Sequence, residues 1–498
     1  PCRPGALTRR PRCEISGLWG FAPLLLACLL LSGCAVGPNY HRPDAHVPQQ
    51  FRLSSDPAST NSLADIPWWQ IFNDPTLTNL IHIALTNNYD VRIAATRVEQ
   101  SRALAVQTRS QYFPQAGYEA SAYRGKNSTA GSATYGTNHS TANSFLGALD
   151  ASWEIDLWGR IRRLNESARA QFLASKEARR GVILSLITDV AQDYFRLLEL
   201  DAELEIAERT TNAFSMSLKI FSQRRQGGIA SKLETDRAEG ALAAVAATIP
   251  DLRQRIRLLE NDLNLLLGLG SGAVARTARL DDQSLPPAVP AGLPSALLER
   301  RPDIRQSEQL LRSANAQIGV SVAEFLPKIG LTALFGGASP ELSAITTPAS
   351  EVWSLGVAAT GPLFTAGYHY GKYRQSVAAW EEAKLQYQQT ALAAFHEVAG
   401  ILFTRQRYEE ARVERNRSVA AYEDAVKIAT ERYRAGHANY FEVLDVQQQL
   451  LPQENALAQT ELNQFLIIVR LYQALGGGWN LPDPTELPKR TVSRRSSQ

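Results

Sequence analysis

Two halves of this chain repeat one another, and that repetition limits what it can fold into more than any motif does. Gly228 and Gly436 lie 208 residues apart, and the same offset pairs Arg224 with Arg432, Ala230 with Ala438, Glu234 with Glu442 and Leu242 with Leu450. The register holds without a gap from Gly159 on Gly367 to Gly270 on Gly478. Earlier in each half an offset of 213 pairs Leu80 with Leu293, Asp90 with Asp303, Arg92 with Arg305, Pro114 with Pro327 and Gly117 with Gly330. Matched Gly and Pro, the residues that punctuate local structure, separate this from a chance likeness of Ala-rich helices. A length that would ordinarily suggest about three domains is here one unit written twice.

Each unit carries the same order of elements. Residues 75 to 112 have helical spacing and stop before Pro114, because a proline pushes the residue before it out of the α region. The period then changes to two. In "SFLGALDASWEIDL", Phe145, Gly147, Leu149, Ala151, Trp153, Ile155 and Leu157 alternate with Asp150, Ser152, Glu154 and Asp156, which predicts a strand with one apolar face. Residues 329 to 335 and 353 to 359 repeat the alternation, and 116 to 124 do so weakly. Gly, Ser, Thr and Pro fill the stretches between, which read as flexible surface loops, so each half holds a hairpin, 115–157 and 328–365. From Gly159 to about Arg225 there is no Pro, and at 1.5 Å per residue such a helix is roughly 100 Å long. Gly367 to Arg434 repeats it. Each turns at Gly227-Gly228 or at Gly436 and returns, giving helical hairpins 159–268 and 367–476 whose length implies coiled-coil packing. Pro250 and Pro452 are expected to kink the return helices.

The ends differ from the body. Arg9, Arg10 and Arg12 precede the apolar "GLWGFAPLLLACLLL", the pattern of an export leader. "LSGC" at 31–34 resembles a bacterial lipobox, in which the thiol of Cys34 receives diacylglycerol. Cys2, Cys13 and Cys28 fall in the leader, so the processed chain has one Cys and no disulfide. The division expected is a leader 1–33, a lipidated linker 34–62 whose job is reach, repeats 63–270 and 293–478 joined by 271–292, and a disordered tail 479–498. No later segment is apolar enough for a spanning helix. Greasy-faced hairpins in an exported chain predict instead a transmembrane β-barrel, yet four strands cannot close one, since barrels need at least about eight. Several chains must contribute.

Five stretches carry a family resemblance: "GCAVGPNYHRP" at 33–43, "WWQIFNDPTLTNLI" at 68–81, "ASWEIDLWGRIRR" at 151–163, "LLERRPDIRQSEQLL" at 297–311, and the two helical turns. Together they resemble the TolC-like outer-membrane efflux proteins, in particular the lipoprotein branch called NodT. The resemblance implies an α+β membrane protein: a homotrimer with a 12-stranded barrel, four strands per chain, continued by a 12-helix coiled-coil tunnel in the periplasm. It also implies outer-membrane lipid around the barrel, and docking through a periplasmic adaptor, or membrane fusion protein, onto an inner-membrane transporter. Ala35, where an Asp would retain a lipoprotein at the inner membrane, fits the outer one.

The same resemblance places the opening of "ERYRAGHANYFEVLDVQQQL" at a periplasmic gate. Glu442 and Asp445, three apart on one helical face, would give six carboxylates around the constriction of a trimer, attracting cations. Tyr433 matches a residue of the closed-state network, and Phe441 is placed to narrow the bore. Glu234 has Arg237 near it rather than a second acid, so the ring is expected mainly from the second repeat. The tips Gly228-Ile229-Ala230 and Gly436-His437-Ala438 would meet the adaptor. The chain departs from some members at Ala438, where they carry a latching Arg.

Other classes fare worse. Lys and Arg number 52 against 49 Asp and Glu, too balanced for a nucleic-acid footprint. Phosphate-loop, zinc-protease and serine-hydrolase motifs are absent, the seven His show no ligand spacing, and His396-Glu397 reads as helix surface. No enzyme activity, metal or cofactor is expected beyond the lipid on Cys34. The alternative reading is a periplasmic coiled-coil adaptor or scaffold lipoprotein, which one helical hairpin flanked by β modules would suit better than two.

Overall fold

The computed structural model describes residues 35–45, 47, 48, 51, 63, 71, 74–126, 141–229, 231–276, 279–283, 285 and 294–477. The leader, Cys34, Ala230, the tail and most of the expected linker beyond residue 45 lie outside them. Among the described residues the order is α1 Pro75–Asn87, α2 Tyr89–Ser110, β1 Gln115–Lys126, β2 Thr141–Ile155, α3 Arg160–Gln226, α4 Lys232–Leu267, α5 Pro294–Arg300, α6 Pro302–Ala323, β3 Lys328–Ser339, β4 Glu351–Thr360, α7 Tyr368–Arg434 and α8 Tyr440–Ala474. The duplication is plain in the lengths: α3 and α7 have 67 residues each, α4 and α8 have 36 and 35.

Contacts divide the chain into two units, each discontinuous in sequence. The first comprises the described residues of Pro1–His41, Ser101–Gln171 and Leu310–Ala383. Its centre is one antiparallel sheet in the order β1-β2-β3-β4. The two predicted hairpins are thus joined by β2 against β3, with Leu149 opposite Phe335 and Trp153 opposite Leu331. This register lines up apolar rows across all four strands: Tyr118, Leu149, Phe335 and Trp353, then Ala116, Ala151, Ala333 and Leu355. The opposite face carries Asp150, Ser152, Glu154 and Thr332. The apolar face is bare in the single chain, with Trp353 67%, Leu355 78% and Val357 75% exposed, as a lipid-facing surface must be. Strands of 10 to 15 residues are long enough to cross a bilayer at a tilt.

Two expectations fail within this unit. The stretch between β3 and β4 is not a flexible loop: β3 runs on through Gly336 and Gly337 to Ser339, short 3-10 turns occupy Leu342–Ala344 and Pro348–Ser350, and Ile345 folds back against Gly337. Small residues here let backbone approach backbone, which composition alone reads as looseness. Nor is the segment from residue 35 a free tether. Val36 N–H donates to Trp158 O at 3.0 Å, and Ala35 lies against Gly159. Asp156, in the "EIDLWGR" motif, caps α3 by accepting from Ile161 N and Arg162 N at 2.9 Å each, and Glu154 holds Arg160 in a two-pronged pair at 2.8 Å.

The second unit comprises the described residues of Arg42–Gln100, Phe172–Gln309 and Lys384–Gln498. Buried positions along α4 fall at Ala238, Ala241, Val245, Leu252, Ile256, Leu263 and Leu267, a coiled-coil spacing. Phe195 of α3 stacks on Phe465 of α8, ring centroids 4.8 Å apart. The helical stretch read over 75–112 is two helices, because Asn88 interrupts it: its Oδ1 accepts from Asp90 N at 2.8 Å and Val91 N at 3.1 Å, an N-cap, while Nδ2 donates to Leu266 O at 2.9 Å. In the second repeat Arg301 breaks α5 from α6 and donates to Ala474 O at 2.9 Å. Asn88 and Arg301 are 213 apart, Leu266 and Ala474 are 208 apart, so one carbonyl is met twice by different side chains. Pro250 and Pro452 sit inside helices that continue on either side of them.

Candidate functional site at the helix turns

The second unit holds both helical turns, and they are built alike. Gly228 and Gly436 have φ of +75° and +79°, the left-handed conformation that glycine adopts without steric cost. Ile229 N donates to Arg224 O and His437 N to Arg432 O, both at 2.9 Å, while Gly228 N reaches Arg225 O and Gly436 N reaches Tyr433 O. These paired bonds satisfy the last carbonyls of α3 and α7. Ile229 and His437 are exposed and Ala438 is half-buried.

The restarts differ. In the first repeat Ser231 and Glu234 form a capping box, Glu234 Oε2 accepting from Ser231 N at 2.7 Å. In the second, Asn439 accepts from Phe441 N at 2.7 Å, and Glu442 turns instead to Arg432 at 3.5 Å. The capping task therefore occupies the first acid and leaves the second on the surface. Val443 and Leu444 are buried and Glu442 is exposed, with Asp445 half-buried and accepting from Gln449 Nε2 at 3.4 Å. Glu442 and Asp445 thus share the face turned away from the chain's own core. Arg237, the counterpart of Asp445, lies over the Phe441 ring at 5.7 Å.

Behind the turns the two hairpins are locked by an apolar cluster: Phe214, Phe221, Ala238, Ala241 and Val245 from the first repeat, Ala429, Tyr440, Val443 and Leu444 from the second, with Tyr433 packed against it. Phe221 sits 3.7 Å from the Tyr440 ring and 5.7 Å from that of Tyr433. Arg224 donates to the Tyr433 hydroxyl at 2.5 Å and lies 4.6 Å from its ring centroid. Burial raises the Tyr433 pKa, and the neighbouring Arg224 opposes it. Burial, with Tyr433 adding to it, pushes Tyr440 up to about 12. Both phenols are neutral hydrogen-bonding groups at physiological pH. Arg224, Arg432, Phe221 and Tyr440 were not singled out as site residues from the sequence, although the Arg224/Arg432 repeat pair was the available signal. Among the described residues no group of His, Cys, Asp or Glu could hold a metal ion, and no helix is long and apolar enough to cross a membrane.

The sequence pattern of the family described as "Outer membrane efflux protein" matches residues 80–269 and again 293–477. The chain belongs to that family. Among relatives it is 32% identical over 454 residues to the cation efflux system protein CusC of Escherichia coli, covering 91% of this chain and 97% of that one. It is also 32% identical over 461 residues to the toluene efflux pump outer membrane protein TtgC of Pseudomonas putida, covering 92% and 95%. The solved outer-membrane channel OprN superposes with a TM-score of 0.83 at 31% identity, over 90% of this chain and all of that one. This outer membrane efflux protein is therefore an outer-membrane channel of the TolC/NodT type, its sheet the barrel contribution and its helical hairpins the tunnel contribution. The adaptor or scaffold reading falls with that assignment.

Proposed function

We propose that three copies of this chain close one barrel of twelve strands, four from each, and that the turns Gly228–Ser231 and Gly436–Asn439 form the periplasmic end of the conduit. The carrying observation is the open sheet: β1 and β4 are its outer strands, with no described strand beside them, and a membrane sheet must close. Glu442 and Asp445, on the face left free by the chain's own core, are the pore-lining acids, Tyr433 and Phe441 belong to the closed gate, and Arg224 takes the place of the Arg that Ala438 lacks. The tips Gly228, Ile229, Ala230, Gly436, His437 and Ala438 dock the periplasmic adaptor, through which an inner-membrane transporter delivers cargo. Cys34 carries lipid as the chain's sole covalent addition, and catalysis forms no part of the reading. Similar identity to a protein named for cations and to one named for toluene supports a channel that passes what its pump supplies.

The test is planar-bilayer recording of Glu442→Gln with Asp445→Asn. Cation preference and block by multivalent cations from the periplasmic side should both weaken. Unchanged selectivity and block would remove these acids from the entrance.

A further inference from the structure

The segment after Cys34, expected to serve reach, is instead fitted into the first unit. Arg163 is buried and spends its guanidinium on that segment: Nε donates to Val36 O at 3.2 Å, and Nη2 donates to Gly37 O at 3.2 Å and Asn39 Oδ1 at 2.9 Å, with Nη1 on Glu166 at 2.8 Å. From α6, Asn315 Nδ2 donates to Pro38 O at 3.0 Å and Arg312 lies 4.9 Å from the Tyr40 ring centroid. Two glycines cross at the centre. A Cβ on Gly37 would fall 2.5 Å from the Gly319 Cα, and one on Gly319 would fall 2.8 Å from Val36 O. Gly159, four residues beyond the end of β2, leaves room for Ala35, since a Cβ there would stand 2.6 Å from it. Its repeat counterpart Gly367 faces nothing within 4 Å. The duplication therefore does not produce this fit: the seat takes Gly159 and Arg163 from the first repeat and Asn315 and Gly319 from the second.

We propose that Ala35–Tyr40 is a clasp that binds α3 to α6 and holds Ala35 at the foot of β2, so that a lipid carried by the residue before it would be tethered beside the sheet's root. The location of the lipid rests on the lipidation reading above; the clasp does not. Arg163 is its positioning residue, and the planar fork of a guanidinium, which lysine cannot supply, is what the carbonyls and the Asn39 amide engage.

The clasp is tested without the lipid. A nitroxide is placed at exposed His41 as His41→Cys in a Cys34→Ser background behind a cleavable leader, where it has the only thiol. The spectrum should be that of an immobilised label. Arg163→Ala should shorten its rotational correlation time several-fold, and Arg163→Lys should do so nearly as far. Where Arg163→Ala does not fold, Gly319→Ala, which crowds Val36 O, should release the label in part. A freely moving label in the parent, or one equally immobile in parent and both Arg163 variants, would overturn the clasp. Mass of the amino-terminal peptide from the Cys34 protein tests the lipid separately: an unacylated peptide removes the seated anchor while the nitroxide result still decides the clasp.

Discussion

Arg224 and Tyr433 show how much one residue pair is asked to do at the turns. The hydroxyl is held by a charged donor and the ring is packed against Phe221 and Tyr440, so Tyr433→Phe should cost about 1 kcal/mol, the net worth of one hydrogen bond, while keeping the packing. The half-exposed Arg432–Glu442 pair is worth less than about 1 kcal/mol, so Glu442→Gln should leave the melting temperature nearly unchanged even where it alters selectivity. A different carboxyl should govern the pH dependence of stability. Glu199 on α3 is buried, and burial, reinforced by Glu203, pushes its pKa from 4.5 up to about 8. The folded state then holds a proton that the unfolded state releases, so this contribution is complete below about pH 4.5 and is lost as pH rises towards 8. Thermal melts of Glu199→Gln should exceed the parent at pH 8 and converge with it near pH 4.5. A parent whose melting point is flat across that range would contradict the assignment. Residue spacing made Glu442 and Asp445 legible as one face, but not that Glu234 is spent on a capping box, because both acids follow a cap residue by three.

At the scale of elements the glycines give opposite expectations from one substitution. Gly228 and Gly436 have open space where a Cβ would go but positive φ, so Ala should destabilise by about 1 kcal/mol at each through the left-handed backbone. Gly240 lies inside α4 with equally open space and no such φ, so Gly240→Ala should stabilise by about 0.5–1 kcal/mol. Chemical melts of the three variants check both signs together. Helices of this length, their turns and the alternation in the strands were legible because each is a local pattern. The break at Asn88 was hidden, since its partner Leu266 O lies 178 residues away and no local spacing announces it. The docked segment from Ala35 was hidden for the same reason: Arg163 and Asn315 are distant in sequence, and a Pro-containing stretch without periodicity looks like a tether until its carbonyls find donors.

For the whole molecule, the union of two hairpins into one sheet through β2 and β3 follows from no single stretch, though the need for several chains follows from counting strands. An apolar face this exposed should keep the protein in the outer membrane without its lipid. Cys34→Ser exported behind a cleavable leader should fractionate with that membrane, and recovery in the soluble periplasm would refute the barrel. The proposed gate at the turns would hold this channel shut. Planar-bilayer conductance of the purified protein, compared with an Arg224→Ala, Tyr433→Phe double variant, tests it most directly. The parent should show small, mostly closed events and the variant a conductance raised several-fold with greater open time. Equal conductance in the two, or none in either, would contradict it.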